Sequence, residues 1–166
     1  MWVVLKYKKS EFNFLKRDLK KALGNLPLIF RPKFKQQKLI RNRLHFIESD
    51  ILGDYLICYH ENFKNTKIFT ILKNLKGLKY FLINSINSQK EIINFVDYCK
   101  KHQGTDGYLR QGFFNLSNIK KGIFLSGPFT NMLFNVIENQ RKKLTILVGN
   151  VTATISKNTG YLYRSV

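Results

Sequence analysis

The chain has 166 residues, enough for one ordinary domain or two small ones. Hydrophobic residues make up 44% of it, which supports a buried core and excludes an intrinsically disordered chain. The formal charge is +19, with 29 Lys and Arg against 10 carboxylates, and this excess indicates a polyanionic partner, nucleic acid first. Coding bias toward Lys, Asn and Ile is the competing explanation. Residues 1–45, however, hold 13 basic groups and only two acids, which bias alone does not readily produce.

The first hundred residues alternate strand and helix patterns. Residues 2–7 are apolar on both faces and predict a central strand. The next segment predicts a helix, because Leu15, Leu19 and Leu23 share one stripe and Gly24 ends it. A capping box from Ser88 to Glu91 starts a second amphipathic helix. Between the two, we expect a short helix from 66 to 75 and strands at 27–34, 44–47, 54–59 and 78–83.

Beyond residue 118 only strand patterns occur. The turn Gly127-Pro128-Phe129 precedes apolar runs at 134–137 and 144–148. The sequence therefore predicts an α+β fold, in which an N-terminal antiparallel sheet flanked by helices is followed by a small C-terminal all-β barrel. The expected division is an N-terminal domain over 1–102, a glycine-containing linker over 103–118 and the barrel over 119–166.

The positions of the cysteines, the length of the apolar runs and the lack of catalytic motifs argue against a disulfide-linked protein, a membrane protein and an enzyme. Cys58 and Cys99 lie far apart in apolar surroundings, so we expect buried free thiols. No apolar run approaches membrane-spanning length and no signal-peptide pattern is present, so we expect a cytoplasmic protein without a membrane partner. Since the three histidines are dispersed and no nucleotide-binding or hydrolase motif occurs, we expect no catalytic site, no metal, no cofactor and no enzyme. A metal-dependent nuclease stays as a remote alternative, based on Glu48, Asp50, Asp54, Glu61 and Lys64.

Five motifs in a fixed order carry a resemblance that covers almost the whole chain. They are the opening Trp2-Val3-Val4-Leu5, the segment 52–57, the helix and strand at 68–81, the helix start at 88–91, and a C-terminal module made of 126–129, 136–138 and 143–148. In this order they resemble the family of the bacterial transcription elongation factor NusG and its specialised paralogue RfaH. That family has an NGN-type N-terminal domain and a KOW-type C-terminal domain.

The chain departs from the family pattern at three places. Phe134 stands where a KOW glycine normally follows the turn, and Gly53 replaces a proline. Residues 150–152 lack the aromatic residue through which the NusG module contacts a ribosomal protein or the terminator Rho. The departures point to a divergent member, phage-borne or a specialised paralogue, and leave its KOW partner open.

The resemblance implies a transcription elongation or antitermination factor that keeps RNA polymerase processive. Its N-terminal module would bind the polymerase clamp helices through an apolar sheet face that includes Leu52, Tyr55 and Ile57. An ordinary core position is the alternative for these three residues.

Basic side chains would lie beside upstream or non-template DNA. The candidates are Arg17, Lys20 and Lys21 on the first helix and Lys38, Arg41 and Arg43 on a loop between strands. A solvated charged face is the alternative for both groups.

A ribosome-associated or RNA-binding KOW protein is the second functional hypothesis. Tyr161 and Tyr163 beside Arg164 would serve there as a stacking platform for single strands. Closure of the barrel by these tyrosines is the alternative.

Overall fold

The protein combines three α-helices with 11 strands in three sheets, within the residues that its computed structural model describes, 1–41, 43–114, 119–157, 159 and 161–166. The helices are α1 (Phe12–Leu23), α2 (Lys67–Leu72) and α3 (Gln89–Lys101). The strands are β1 (Trp2–Tyr7), β2 (Leu28–Phe30), β3 (Lys33–Ile40), β4 (Arg43–Asp50), β5 (Tyr55–Tyr59), β6 (Leu78–Phe81), β7 (Lys121–Phe124), β8 (Leu133–Asn139), β9 (Lys143–Val148), β10 (Val151–Ser156) and β11 (Tyr163–Ser165). The predicted α+β class is confirmed. Among the described helices, none has the length and apolar character needed to cross a membrane.

Residue contacts divide the chain into two compact units. Unit 1 comprises Met1–Pro32 and Asp50–Lys100, and unit 2 comprises Lys33–Ser49 and Lys101–Val166. The segment 33–49 therefore groups with residues after 100, whereas the sequence pattern assigned it to the N-terminal domain. The domain boundaries at 102 and 118 stay a prediction.

Unit 1 is built on a four-stranded sheet in the order β2-β5-β1-β6. The two neighbours of β1 are antiparallel to it, so β1 is central, as its two apolar faces predict. One face of the sheet forms the main core of this unit. The buried side chains of that core are Val3, Leu5, Tyr7, Leu56 and Cys58 from the strands, and Leu15, Leu19, Leu23, Phe63 and Leu72 from the helical segments.

The opposite face of this sheet is covered in its middle by α3. Ile57 is only 3% exposed, because Ile92 and Val96 of α3 pack on it. Gln89 fixes the start of α3 to the first strand: its side chain accepts from the Trp2 backbone N–H at 2.9 Å and donates to the Trp2 carbonyl at 2.7 Å. The expected open apolar face is therefore closed at Ile57.

Unit 2 contains a five-stranded antiparallel sheet in the order β10-β9-β8-β7-β11. Its aromatic core brings Phe134 to 4.6 Å from Phe124 and 5.7 Å from Tyr163, measured between ring centroids. Phe134 thus fills the core at the position where the family pattern has a glycine. Tyr163 is buried as well, so its predicted role in a stacking platform is wrong. Closure of this sheet into a barrel stays a prediction.

A third, two-stranded sheet is formed by β3 and β4. The sequence pattern predicted one strand over 27–34 and a basic loop over 35–43, and both predictions are wrong. The first strand ends before Pro32, which cannot donate to a sheet ladder. The supposed loop continues as strand β3 and turns at Arg41, whose φ of 48° is a left-handed turn conformation.

The segment predicted as a linker has local structure in its described part. A 3₁₀ turn spans Gln111–Phe114, and Leu109 is buried. Phe114 packs edge-on against Phe34 with 5.5 Å between the ring centroids. Residues 115–118 lie outside the described residues.

Candidate functional site

Three strands of unit 1 place two tyrosines and a lysine in one row. The register pairs Lys6 of β1 with Tyr55 of β5 on one side and with Tyr80 of β6 on the other. Directly paired residues of neighbouring strands point to the same face, so these three side chains lie side by side. We call them, together with Asp54 and Lys79, the tyrosine surface.

Hydrogen bonds and charges connect the members of the tyrosine surface. The hydroxyl oxygens of Tyr55 and Tyr80 lie 3.0 Å apart, and Lys6 Nζ lies 5.0 Å and 5.8 Å from the two ring centroids. Asp54 forms ion pairs with Lys79 at 3.2 Å and with Lys6 at 3.7 Å. Tyr80 is 47% exposed and Tyr55 is partly buried. The surface therefore presents two aromatic rings to solvent, and the ammonium group of Lys6 lies beside both of them.

The hydrogen bond between the two tyrosines shifts their pKa values in opposite directions. The hydrogen bond from Tyr80, helped by Lys6, lowers the pKa of Tyr55. The same bond raises the pKa of Tyr80, because Tyr80 is the donor when Tyr55 loses its proton. The hydrogen bond to Tyr55 in turn raises the pKa of Lys6. The ammonium group thus stays charged beside the rings.

The three residues predicted to contact a polymerase are placed differently. Tyr55 belongs to the tyrosine surface. Leu52 is partly buried against the cluster that contains Ile57, and Ile57 is closed off by α3. Ile57 therefore lies on the same sheet face as Tyr55 but under α3, and it does not face a partner. Tyr80 and Lys6 were missed at the level of sequence, although the predicted strands 2–7, 54–59 and 78–83 contain all three residues of the row.

The basic face of α1 is open to solvent, as its helical pattern predicts. Arg17, Lys20 and Lys21 are exposed, while the leucines of the same helix are buried. Arg17 donates to Asp18 Oδ1 at 3.0 Å and lies 5.3 Å from the centroid of Phe14. Lys76 approaches the same ring at 4.1 Å, which adds another cation to this face.

A second group of predicted basic residues lies at the end of the β3–β4 hairpin. Arg41 and Arg43 are exposed there and line an open depression of about 580 Å³ with Ile40 and His45. Lys38 belongs to β3, and its side chain lies outside the described residues. Arg41 and Arg43 belong to unit 2, whereas Arg17, Lys20 and Lys21 belong to unit 1.

The Gly127-Pro128-Phe129 segment forms the predicted turn between β7 and β8. Gly127 has a φ of 91°, which favours glycine, and Asn131 closes the turn with a backbone bond of 2.9 Å to Phe124. Phe129 packs on Phe124 with 5.6 Å between ring centroids. The Gly127 N–H donates to Gln37 Oε1 at 2.6 Å, so the turn is also held by the hairpin.

The carboxylates considered for a nuclease are paired with cations at three positions. Asp50 accepts two bonds from Arg31, and Asp54 lies between Lys6 and Lys79. Glu48 accepts from Lys33 at 2.8 Å. Over the described residues, no three His, Cys, Asp or Glu side chains gather as a metal site would require.

The two thiols are free and buried, as predicted. Cys58 and Cys99 form no disulfide with each other. Burial raises the pKa of the Cys58 thiol and raises that of Cys99 to about 11. Both groups therefore stay protonated, which suits a core position.

Comparisons with known proteins identify no family for the chain. No family model matches it, and no curated protein matches it either. Among solved structures, the MjSpt4:Spt5 complex in conformation B matches with 12% identity and a TM-score of 0.35, covering 100% of this chain and 98% of that chain. NusG of Thermotoga maritima, solved in a study of its domain interaction, matches with 10% identity and a TM-score of 0.33, covering 99% of this chain and 96% of that chain.

Proposed function

We propose that the chain is a non-enzymatic transcription elongation or antitermination factor that binds RNA polymerase. The order of the five sequence motifs supports this proposal, and one structural observation carries it. At the position where the resemblance expects the polymerase contact, the tyrosine surface leaves two aromatic rings accessible beside a charged lysine. Tyrosines on a rigid sheet are among the residues that dominate binding energy at protein interfaces.

The polymerase contact is smaller than the sequence suggested. Tyr80 and Tyr55 would meet the tip of the clamp helices directly, and Leu52 would extend the contact at its edge. The hydrogen bond between the two hydroxyl groups and the contacts of Lys6 with both rings would hold them in place, so that binding requires little reordering of side chains. The exposed cations of α1 would face the phosphates of nearby DNA, which carry no base information.

Alanine substitutions at the two tyrosines test this proposal. We expect Tyr55→Ala and Tyr80→Ala each to weaken binding to cognate RNA polymerase about tenfold or more, which corresponds to about 1.4 kcal/mol. The thermal midpoint should change little, since neither ring belongs to a buried core cluster. Equilibrium binding to purified polymerase and thermal unfolding are the two measurements.

Tyr59→Ala is the matched control for these variants. Tyr59 lies on the same strand and the same sheet face as Tyr55 and is 37% exposed, but at the opposite end of the strand. It should leave polymerase affinity unchanged. Equal losses in all three variants would contradict the proposed contact, as would a loss of stability in place of affinity at Tyr55.

A further inference from the structure

Unit 2 contains a groove of about 500 Å³ that the proposed polymerase contact does not use. This volume lies in the range of ligand-binding clefts. Its walls come from the β3–β4 hairpin, from the segment after residue 107 and from the chain before β11. Its lining includes both aromatic rings and cations; the six that matter are Lys35, Phe46, Tyr108, Arg110, Lys157 and Tyr161. We call it the aromatic groove.

One aromatic side chain of the groove, Phe46, is unusually accessible. Phe46 is 72% exposed, although a phenyl ring gains stability when it leaves water. Tyr108 and Tyr161 are partly buried, so part of each side chain remains accessible to solvent. Lys35 Nζ lies 4.2 Å from the centroid of Tyr108, a cation–π contact. These rings form a stacking surface with a cation already beside it.

The backbone beside the groove holds the Tyr161 ring in a fixed position. A Cβ added at Gly127 would lie 2.7 Å from Cδ1 of Tyr161, so this ring packs directly on the glycine backbone. Gln111 exchanges two hydrogen bonds with the backbone of Tyr163, at 2.9 and 3.1 Å. Leu162 donates its N–H to Ser126 Oγ at 2.6 Å. The wall of the groove that contains Tyr161 is therefore already ordered before a ligand binds.

The charges of the groove favour an anion. Lys35 and Arg110 share the carboxylate of Asp106 at 3.5 and 3.0 Å. Glu48, which accepts from the hydroxyl group of Tyr108, is paired with Lys33 at 2.8 Å. Lys157 Nζ donates to the neutral amide oxygen of Asn139 at 2.5 Å. Unit 2 as a whole carries 14 Lys and Arg against three carboxylates. The groove thus keeps an excess of positive charge beside its aromatic rings.

We infer that the aromatic groove binds single-stranded nucleic acid. Phe46 stacks on an unpaired base, and Lys35, Arg110 and Lys157 contact the phosphates on either side. A duplex does not fit this chemistry, because its bases are already stacked on each other and present no face to Phe46. The inference goes beyond polymerase binding and does not depend on it.

Fluorescence anisotropy with short labelled oligonucleotides tests the groove in the full chain without polymerase. The probes are an oligouridylate, the matching oligothymidylate and a duplex of equal length. We expect both single strands to bind more tightly than the duplex, and the two affinities to show whether RNA or DNA is preferred. Phe46→Leu should weaken single-strand binding about fivefold or more, because it keeps apolar volume and removes the stacking face. Phe46→Trp should retain it.

Two control variants separate stacking and phosphate binding from general effects. Ile137→Ala removes a side chain of β8 that is 58% exposed and lies outside the groove, and it should leave binding unchanged. Lys157→Gln should reduce the slope of log affinity against log salt by about 0.7, as the removal of one lysine–phosphate pair on a single strand predicts. Lys121→Gln, an exposed lysine of β7 outside the groove, should change that slope less.

Three results would overturn the inference. One is a wild-type chain that fails to bind either single strand. Another is a Phe46→Leu variant that binds them as tightly as the wild type while both melt at the same temperature. The third is equal binding of the duplex together with equal effects of Lys121→Gln and Lys157→Gln, since net charge alone would then explain the affinity.

Discussion

Glu48 shows how a single exposed carboxylate ties segments of unit 2 together. It accepts from Lys33 Nζ at 2.8 Å and from the hydroxyl group of Tyr108. The hydrogen bond from Lys33, followed by the one from Tyr108, lowers the pKa of Glu48 below its ordinary value of 4.5. A lowered pKa in the folded state means that the contribution to stability is complete above the unfolded value and is lost as the pH falls through the folded value.

We therefore expect Glu48→Gln to lower the urea midpoint at pH 7, with a difference from the wild type that shrinks below about pH 4.5. Urea unfolding at a series of pH values measures this. Glu138→Gln is the control, because Glu138 is exposed and accepts from the neutral amide of Gln140, and we expect it to change the urea midpoint at pH 7 less. A difference that stays constant down to about pH 3 would show that the Lys33 and Tyr108 bonds do not stabilise the folded state.

Gly122 makes room in the core for Phe134, the residue that stands where the resemblance expects a glycine. A Cβ at Gly122 would lie 2.5 Å from Cζ of Phe134 and 2.8 Å from the Arg164 carbonyl oxygen. The missing side chain of β7 thus makes room for the ring that fills the core from β8. From the sequence alone, Phe134 does not fit the motif that the chain resembles. The glycine that makes room for its ring lies 12 positions earlier, so the sequence does not show the compensation.

Gly122→Ala should destabilise the chain by about 1–3 kcal/mol, because both the ring and the strand backbone resist movement. Urea unfolding gives the value. Gly112→Ala is a matched control: its Cβ would meet only the His102 ring, at 3.0 Å, which belongs to a side chain. Equal losses in the two variants would mean that the packing of Phe134 on Gly122 does not determine the cost.

At the scale of elements, the periodicity of hydrophobic residues predicted which face of a helix or strand is buried. The stripe of α1, the apolar side of α3 and the central position of β1 were all predicted from their periodicity. The covering of Ile57 was not, because Ile92 and Val96 lie 35 or more positions away. The predicted strand 44–47 lies within β4, but β3 was missed for a different reason: its charged residues concealed the strand pattern between 35 and 43.

The exposed face of α1 gives a prediction about DNA. Reversing Lys20 and Lys21 to Glu should weaken binding of the chain to duplex DNA and reduce its salt dependence. The slope of log affinity against log salt should fall by about 0.9 for each phosphate that a lysine no longer neutralises. Fluorescence anisotropy over a range of salt concentrations measures it.

Reversal of Lys73 and Lys90, which are exposed outside α1, makes the same change in net charge and serves as the control. If the two double variants reduce the slope equally, the α1 face has no specific phosphate role.

For the molecule as a whole, the sequence predicted the fold class and the charge of the surface better than the sites that distant residues form together. The α+β class, the run of C-terminal strands and the cationic surface followed from periodicity and charge. As binding residues, the sequence named only Tyr55 of the tyrosine surface and Tyr161 of the aromatic groove, because each site gathers residues that are distant in sequence, such as Lys6 with Tyr80 or Phe46 with Tyr161. Only strand register and turn geometry bring such residues together.

The two proposed binding surfaces lie in different units of the chain. The tyrosine surface belongs to unit 1 and the aromatic groove to unit 2, so each can be disabled separately. A factor of this kind would bind the polymerase through one unit and single-stranded nucleic acid through the other. Variants in one surface should then leave the ligand of the other unaffected.

Binding of the full chain to cognate core RNA polymerase, intact and with the tip of its clamp helices deleted, tests the central proposal most directly. We predict binding to the intact enzyme and an affinity weakened about tenfold or more by deletion of the tip. Equal affinity for the two enzymes, or no affinity for the intact one, would contradict the proposed polymerase contact.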